Sequence, residues 1–109
     1  MRLKASIFAS SILRRAMGAG AYAAVAQKGH EDGGAIFVKV NLLDGRAFVL
    51  CPAPSLGGER TWLRGTGPQP VVDADAEAYL ARQIARDPDC WVIEVEDKQG
   101  RWFFEEKVE

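Results

Sequence analysis

The residues that could carry chemistry are few, and they are scattered along the chain. His30 is the sole histidine and stands beside Glu31 and Asp32, so a catalytic triad, a His-Cys dyad or a two-histidine metal site would each depend on it. Glu31 and Asp32 could help it hold a cation, but adjacent residues of an extended chain point apart. The glycine-rich surroundings favour a solvated turn. We therefore predict an exposed loop and no metal site at His30.

Two groups of acidic residues could form a carboxylate site. Glu94 and Glu96 share one face of a predicted strand, about 7 Å apart, which suits a carboxylate pair or a metal ion. Polar residues nevertheless alternate with apolar ones on any half-buried strand, and Arg101 could pair with one of them across a hairpin. The second group, Asp73, Asp75 and Glu77, crowds a predicted helix start, where acids cap the helix and complement its dipole. We interpret both groups as structural and predict no catalytic residue.

Neither the cysteines nor the glycine-rich loops form a recognised catalytic motif. Cys51 and Cys90 make no CxxC pair and have no histidine close in sequence to activate a thiolate, so we predict two buried, reduced thiols. The segment 65–67, Gly-Thr-Gly, could cradle a phosphate with Arg60 and Arg64, yet it matches neither the Walker pattern nor GxGxxG. It is interpreted as a loop, and no ligand-binding residue is assigned.

Aromatic residues are concentrated in the second half of the chain. A place in the hydrophobic core is the simplest explanation for most of them. The last three are consecutive and cannot all face inward on one strand, so at least one is exposed or covered by a partner subunit. The set comprises Trp62, Trp91, Trp102, Phe103 and Phe104.

Composition limits the class of protein. A chain of 109 residues with 48% hydrophobic and 27% charged residues predicts one globular domain spanning 1–109. The net charge of -1 gives no overall attraction to nucleic acid or an anionic membrane, although residues 1–28 carry +5 and the remainder -6. Uncharged runs near the start are too short to span a bilayer. We therefore expect a cytoplasmic protein that does not bind membranes.

The first third of the chain is predicted to hold a strand, a helix and a second strand. Alternating apolar side chains indicate a strand over residues 3–7. A helix of two to three turns is expected from Ser10 or Ser11 to the glycines that begin at Gly18. Residues 22–28 are interpreted as a strand, and a polar, glycine-rich connection follows over 29–34.

A hairpin is predicted around Asp44-Gly45, a dipeptide that favours a two-residue turn. This turn would place Leu43 opposite Arg46, Val40 opposite Val49 and Val38 opposite Cys51. The predicted core face of the hairpin is then Val38, Val40, Val49 and Cys51, with Ile36 and Ala47 beside them.

The remaining elements complete an α+β domain. A short strand is expected at 61–64 between loops 52–60 and 65–70, and a helix from Asp73 to Asp87 with an apolar stripe centred on Leu80. A strand at 91–96 is expected to pair with a return strand at 101–104. The predicted order is β-α-β-β-β-β-α-β-β, an antiparallel or mixed sheet with both helices packed on it, on one face.

Several stretches spread over nearly the whole chain form a recognisable combination: residues 1–5, 13–16, 38–41 with Asp44-Gly45, 52–54, 78–83, 87–89 and 91–97. In them the sequence resembles a small bacterial family, the domain-of-unknown-function family numbered 1491. The resemblance implies that the amino terminus belongs to the mature fold, and it implies no reaction, cofactor or catalytic residue. Cys90 replaces a bulky aliphatic residue of the family pattern, and His30 lies in a variable turn.

These observations favour a non-enzymatic binding or protein-interaction module without a cofactor. We expect a homodimer that uses an exposed sheet edge or the surface of residues 102–104, with an unknown protein or small molecule as a further partner. The alternative is a small enzyme handling an acyl or nucleotide substrate, which would need Glu94 or Glu96 in one pocket with Arg60 and Arg64. A third hypothesis, weak binding of nucleic acid by the +5 segment, has little support from the total charge.

Overall fold

The chain folds into a six-stranded mixed sheet with one helix on each face. The computed structural model describes residues 3–54, 58 and 60–109. Two helices and a mixed sheet confirm the predicted α+β class. In chain order the elements are α1 (Ala5–Gly18), β1 (Tyr22–Gln27), β2 (Ile36–Asn41), β3 (Arg46–Ala53), β4 (Thr61–Arg64), β5 (Val71–Val72), α2 (Asp73–Arg86) and β6 (Trp91–Glu96).

The last strand of the chain lies inside the sheet. The strand order is β1-β6-β2-β3-β4, and the two-residue β5, which the sequence did not predict, pairs with β3. Strands β2 and β6 run parallel, and every other pair is antiparallel. Because α2 carries the chain back across the sheet from β5 to β6, the sheet can hold this parallel pair.

Each helix covers its own face, so the expectation of both helices on one face is wrong. Helix α1 packs on a core that contains Val38, Val40 and Ile93, whereas α2 packs on Phe37 and Val92. The central strands therefore carry apolar side chains on both faces. A sheet of this kind needs cover on both sides, which two helices on a single face could not give.

The segment predicted as a strand at residues 3–7 instead runs into α1, which begins at Ala5. The alternation of Leu3, Ala5 and Ile7 is a strand-like pattern that covers only a few residues. The apolar residues from Ala5 to Ala16 instead recur at the spacing of a helix. Leu3 and Ile7 are about half exposed, and the helix buries its face every three or four residues. The buried residues are Ala5, Phe8, Ala9, Ile12 and Ala16.

The hairpin of β2 and β3 is present, but its predicted register is wrong by one residue. The N–H of Leu42 donates to the carbonyl of Arg46 at 3.0 Å, so three residues form the loop, with Leu43 at φ 62° and Gly45 at φ 89°. Val40 therefore faces Phe48, and not Val49. A shift of one residue turns β3 over, so Phe48 and Leu50 join the α1 core while Val49 and Cys51 lie on the α2 side.

The return strand predicted at residues 101–104 does not form. Strand β6 lies between β1 and β2, so it has no free edge to which a hairpin partner could bind. The buried Asp97 carboxylate instead accepts hydrogen bonds from the backbone N–H and the guanidinium of Arg101, at 2.9 to 3.0 Å. This turn sends the chain across the α1 face of the sheet, where Trp102 and Phe104 pack.

The other predicted elements are confirmed, with boundaries close to those expected: β1, β4, α2 and β6. The loop predicted after Pro52 contains residues 55–57 and 59, which lie outside the described residues, as do residues 1 and 2 of the predicted basic segment. Over the part of the chain that the structure describes, neither helix combines the length and the apolar character needed to cross a bilayer.

Candidate functional site

A buried lysine links α2 to the sheet. Lys39 lies in β2 with 3% of its surface exposed, and its ammonium nitrogen lies 2.6 Å from carboxylate oxygens of both Asp73 and Glu77. Glu94 of the neighbouring strand is 3.9 Å away. Burial lowers the pKa of the Lys39 ammonium, but the hydrogen bonds to Asp73 and Glu77 outweigh this effect and raise the pKa above its usual value.

A groove of about 230 Å³ opens beside this ion cluster, against α2 and the strands β1 and β6. Its lining includes the apolar side chains of Leu80, Ile84 and Val92 and the carboxylates of Glu77 and Glu94. The described residues that line it include no histidine, cysteine or hydroxyl group. The groove therefore has the charge to attract a cation but lacks a nucleophile paired with a base.

The carboxylate and arginine residues of the enzyme hypothesis lie apart. Glu94 faces the α2 groove, whereas Glu96 lines a separate depression near Arg101. Arg60 and Arg64 are on the α1 side of the sheet, where their guanidinium carbons lie 4.8 Å from the ring centre of Phe8 and 5.6 Å from that of Trp102. The sheet thus separates the carboxylates from the arginines, and no single pocket holds both.

His30 lies in an exposed turn, as the sequence predicts. Its Nδ1 accepts long hydrogen bonds from the backbone N–H groups of Asp32 and Gly33, at 3.3 and 3.4 Å. Its backbone connects the turn to the α2–β6 connection, because its N–H donates to Asp89 O at 2.8 Å and its carbonyl accepts from Trp91 Nε1 at 2.7 Å. Among the described residues, no three His, Cys, Asp or Glu side chains gather as a metal site.

The cysteines pack in the α2 core, and the loop after β4 is hydrogen-bonded to β3. Cys90 is buried, and burial raises the pKa of its thiol; Cys51 is half-buried, and both are free. The segment predicted as a loop at 65–70 is bonded to β3, because the Thr66 hydroxyl accepts a hydrogen bond from the N–H of Val49 at 3.1 Å. Gly65 N–H donates to the Val49 carbonyl at 2.8 Å. These bonds give the loop a structural role.

The aromatic residues form a stack under α1. Trp62 is 1% exposed and stacks on Phe8 and Phe104, with ring centres 5.7 and 4.6 Å apart. Trp102 packs edge-on against Phe48. Phe103 has a φ of 63° and is half-buried beneath the guanidinium of Arg101, 5.0 Å from its ring centre. The three consecutive aromatic residues are thus accommodated within one chain.

The two edges of the sheet differ. At the β4 edge the carboxyl-terminal residues close the ladder, because Trp62 N–H donates to Lys107 O at 3.0 Å and Glu109 N–H donates to Trp62 O at 2.8 Å. Val108 forms a parallel bridge to Trp62. Strand β1 pairs with β6 on its inner side, and no described residue pairs with its outer side. The outer side of β1 is therefore the open edge.

Sequence reasoning missed the ion cluster and the closed edge, because both join segments that are far apart in the chain. Lys39 occurs in a largely apolar strand, and a charged residue flanked by valines is a signal that could have marked it. The acids at the start of α2 were assigned to capping and to the helix dipole, yet neither helix has a side-chain cap, and Asp73 and Glu77 bind Lys39. The charged carboxyl-terminal tail gives no sign that it pairs with β4.

The architecture and the site define a class: a single α+β domain with a mixed sheet between two helices, an ion cluster under one helix and one open edge. A solved structure of a family-1491 protein from Caulobacter crescentus CB15 has 39% identity to the chain, a TM-score of 0.86, and coverage of 98% of this chain and 99% of that one. A solution structure of a protein of the same family and organism has 40% identity and a TM-score of 0.84, and covers 100% and 98% of the two chains.

A third solved relative is protein Atu0922 from A. tumefaciens, with 38% identity, a TM-score of 0.77 and coverage of 88% and 86%. The family model described as "Protein of unknown function (DUF1491)" matches residues 3–105, and the chain belongs to this family. The family carries no assigned activity. Comparison with curated proteins gave no match.

Proposed function

We propose that this protein is a non-enzymatic interaction module of the bacterial cytoplasm, and that the outer edge of β1 is its binding surface. A strand from another polypeptide chain would extend the sheet there by backbone hydrogen bonding. In a homodimer, the added strand would be β1 of a second copy of the same chain. The free cysteines and the bacterial relatives support the location.

The difference between the two sheet edges carries the proposal. Exposed edges promote association, and proteins commonly protect them with charges, prolines or covering segments. The chain covers the β4 edge with its own residues 107–109. Strand β1 has no charged residue and no proline over Tyr22–Gln27, and its Tyr22 and Val25 side chains are 58% and 38% exposed.

The surface of residues 102–104 is a weaker candidate for the interface. Trp102 and Phe104 pack on the α1 core, and Arg101 lies over the ring of Phe103. Their apolar surface is therefore largely used within the monomer, whereas the backbone groups on the outer side of β1 have no partner among the described residues.

The enzyme alternative has less support, because the sheet separates Glu94 and Glu96 from Arg60 and Arg64. A substrate with a cationic group in the α2 groove and an anionic group at the arginines could not contact the carboxylates and the arginines at the same time. Screening nucleotides, acyl thioesters and amines by thermal shift tests this alternative, since a ligand at 100 times its dissociation constant stabilises by about 2.7 kcal/mol.

A matched pair of variants tests the edge. Val25→Lys places a charge at the open edge, and Leu63→Lys makes a comparable exposed change on β4. We expect light scattering to show association for the natural chain and Leu63→Lys, and a monomer for Val25→Lys at the same concentration. A monomer for the natural chain at the highest concentration, together with a bacterial interaction profile that Val25→Lys leaves unchanged, would refute the proposal.

A further inference from the structure

We infer that the partner at the open edge is a second copy of this chain, paired antiparallel about a twofold axis at Ala24. This inference rests on the proposed function of the β1 edge and adds the partner and the register. It follows from the direction of the backbone groups, from the sizes of the side chains along β1 and from the absence of charge on the strand.

The hydrogen bonds of β6 establish which residues of β1 face outward. Trp91 N–H donates to Ala35 O and Asp97 N–H donates to Asn41 O, at 2.7 and 3.0 Å, so odd-numbered residues of β6 direct their backbone groups toward β2. Residues alternate in a strand, and Glu94 and Glu96 therefore direct theirs toward β1. They lie opposite Ala24 and Tyr22, whose backbone groups consequently point inward.

The outward-facing backbone groups of β1 are those of the intervening residues, Ala23 and Val25. Beyond Val25 a bulge interrupts the register with β6. Before Tyr22 the N–H of Ala21 is already used, because it donates to Ala16 O at 2.9 Å. Two residues of each copy are therefore left to pair.

A single antiparallel register uses all of these groups. With Ala24 on the axis, Ala23 lies opposite the partner's Val25 and Val25 lies opposite the partner's Ala23, which gives two hydrogen-bonded pairs and four bonds. An axis at Ala23 would depend on the occupied Ala21, and an axis at Val25 would depend on the residues beyond the bulge. The Ala24 axis is therefore favoured over both neighbouring registers.

The side chains fit the same register. Alanine faces alanine at the axis, and on the other face of the sheet each valine lies opposite an alanine, so no two bulky groups meet across the new pair. The strand Tyr22–Gln27 contains no charge, so no like charges face each other across the backbone hydrogen bonds. Lys28 follows the strand, outside the paired residues.

The twofold axis also brings the two α1 helices to the same face of a continuous sheet, because each α1 packs over its own β1. The described residues 3–28 carry +4 in each copy, from Lys4, Arg14, Arg15 and Lys28, so the two segments repel each other and added salt should strengthen the dimer. An acidic partner strand would show the opposite salt dependence. Sedimentation at low and high salt therefore distinguishes a second copy from an acidic protein.

Cysteine cross-linking tests the register. Ala24→Cys places two thiols across a non-hydrogen-bonded pair with Cα atoms about 4.5 Å apart, within disulfide range. Val25→Cys would leave the two Cα atoms about 8 Å apart, beyond that range. Under oxidised glutathione we expect covalent dimer from Ala24→Cys at least tenfold above that from Val25→Cys. Ala78→Cys, on the exposed side of α2, and the natural chain are controls for random collision and for native thiols.

Proline substitutions test the backbone directions independently. Proline lacks an N–H, so Val25→Pro removes a group that faces outward and should leave the monomer folded while abolishing association. Ala24→Pro removes a group bonded to β6 and should lower the melting temperature of the monomer. Equal melting temperatures for the two variants, or a larger loss for Val25→Pro, would contradict the assigned directions.

The outcomes separate the inference from the function on which it rests. Cross-linking at Ala24 at least tenfold above that at Val25 supports the inference. Cross-linking at Val25 equal to or above that at Ala24, or association abolished by Val25→Lys with no cross-linking at Ala24, overturns the register and leaves the edge as the binding surface. A monomeric natural chain that loses bacterial partners through Val25→Lys overturns the second copy alone. Absence of both self-association and edge-dependent partners overturns both proposals.

Discussion

Substitution of Gly29 by alanine should destabilise the protein severely, although Gly29 lies in a loop between β1 and β2. A Cβ atom at this position would lie 2.3 Å from the carbonyl oxygen of Asp89 and 2.7 Å from Cδ1 of Trp91. Ordinary contacts of a Cβ atom begin at about 3.4 Å, so the loop and the α2–β6 connection must move apart by about 1 Å. The neighbouring atoms are backbone and a buried ring, which cannot yield by simple rotation.

The magnitude follows from the contacts that this movement would break. His30 donates its N–H to Asp89 O and accepts a hydrogen bond from Trp91 Nε1, at 2.8 and 2.7 Å. Each bond contributes about 1 kcal/mol, and repacking the Trp91 ring costs about 1 kcal/mol more. Gly29→Ala should therefore lower the free energy of unfolding by about 3 kcal/mol and the melting temperature by about 12 °C.

Gly33→Ala provides the matched control in the same loop. Its Cβ would have no atom within 4 Å, and its φ is outside the left-handed region. This variant should differ from the natural chain by less than about 0.5 kcal/mol, in either direction. Urea unfolding followed by tryptophan fluorescence measures both. Equal stability of the two alanine variants would show that the loop does not pack on Asp89 and Trp91, and it would refute the reasoning.

Two further predictions concern pH. Hydrogen bonding from Arg101 holds the pKa of Asp97 below its usual 3.8, so the stabilisation of the fold by this pair is present above pH 3.8 and is lost as the pH falls through the folded pKa. Asp97→Asn should therefore lower the free energy of unfolding by about 1–2 kcal/mol at pH 7. Equal urea unfolding curves of the natural chain at pH 7 and pH 3 would contradict this prediction. The pKa of Lys39 is raised above 10.5, so the stabilisation of the fold by its ion pairs is present below pH 10.5 and is lost as the pH rises through the folded pKa. Urea unfolding of the natural chain should show that loss. A loss of the same size in Lys39→Met would show that it does not come from Lys39.

Helix α2 and strand β6 could be predicted because their patterns are local. Acids begin the helix, Pro88 follows its end, and Leu80 lies on its buried face. The register of the β2–β3 hairpin could not be predicted in the same way. Leu43 adopts a φ of 62°, which is unfavourable for a bulky residue, and a glycine two residues later closes a loop that is one residue longer than the favoured turn.

The order of the strands depends on contacts between distant segments. A charged strand such as β6, with Glu94 and Glu96, has the pattern of an edge strand with one solvated face. It nevertheless lies between β1 and β2, where Lys39 of β2 approaches Glu94 at 3.9 Å and Gln27 of β1 donates to Cys90 O at 3.0 Å. Pairings of this kind leave no trace in the local periodicity, and the same is true of the open edge of β1.

In the pairing through β1 that we propose, the tail that closes β4 would also limit how far the protein can assemble. A subunit with one free edge forms a closed pair, because pairing through that edge leaves no free edge for a third subunit. If residues 107–109 were removed, each subunit would present two different free edges, and head-to-tail addition could continue without end into fibres. Residues 107–109 would thus separate the proposed closed pair from a polymer.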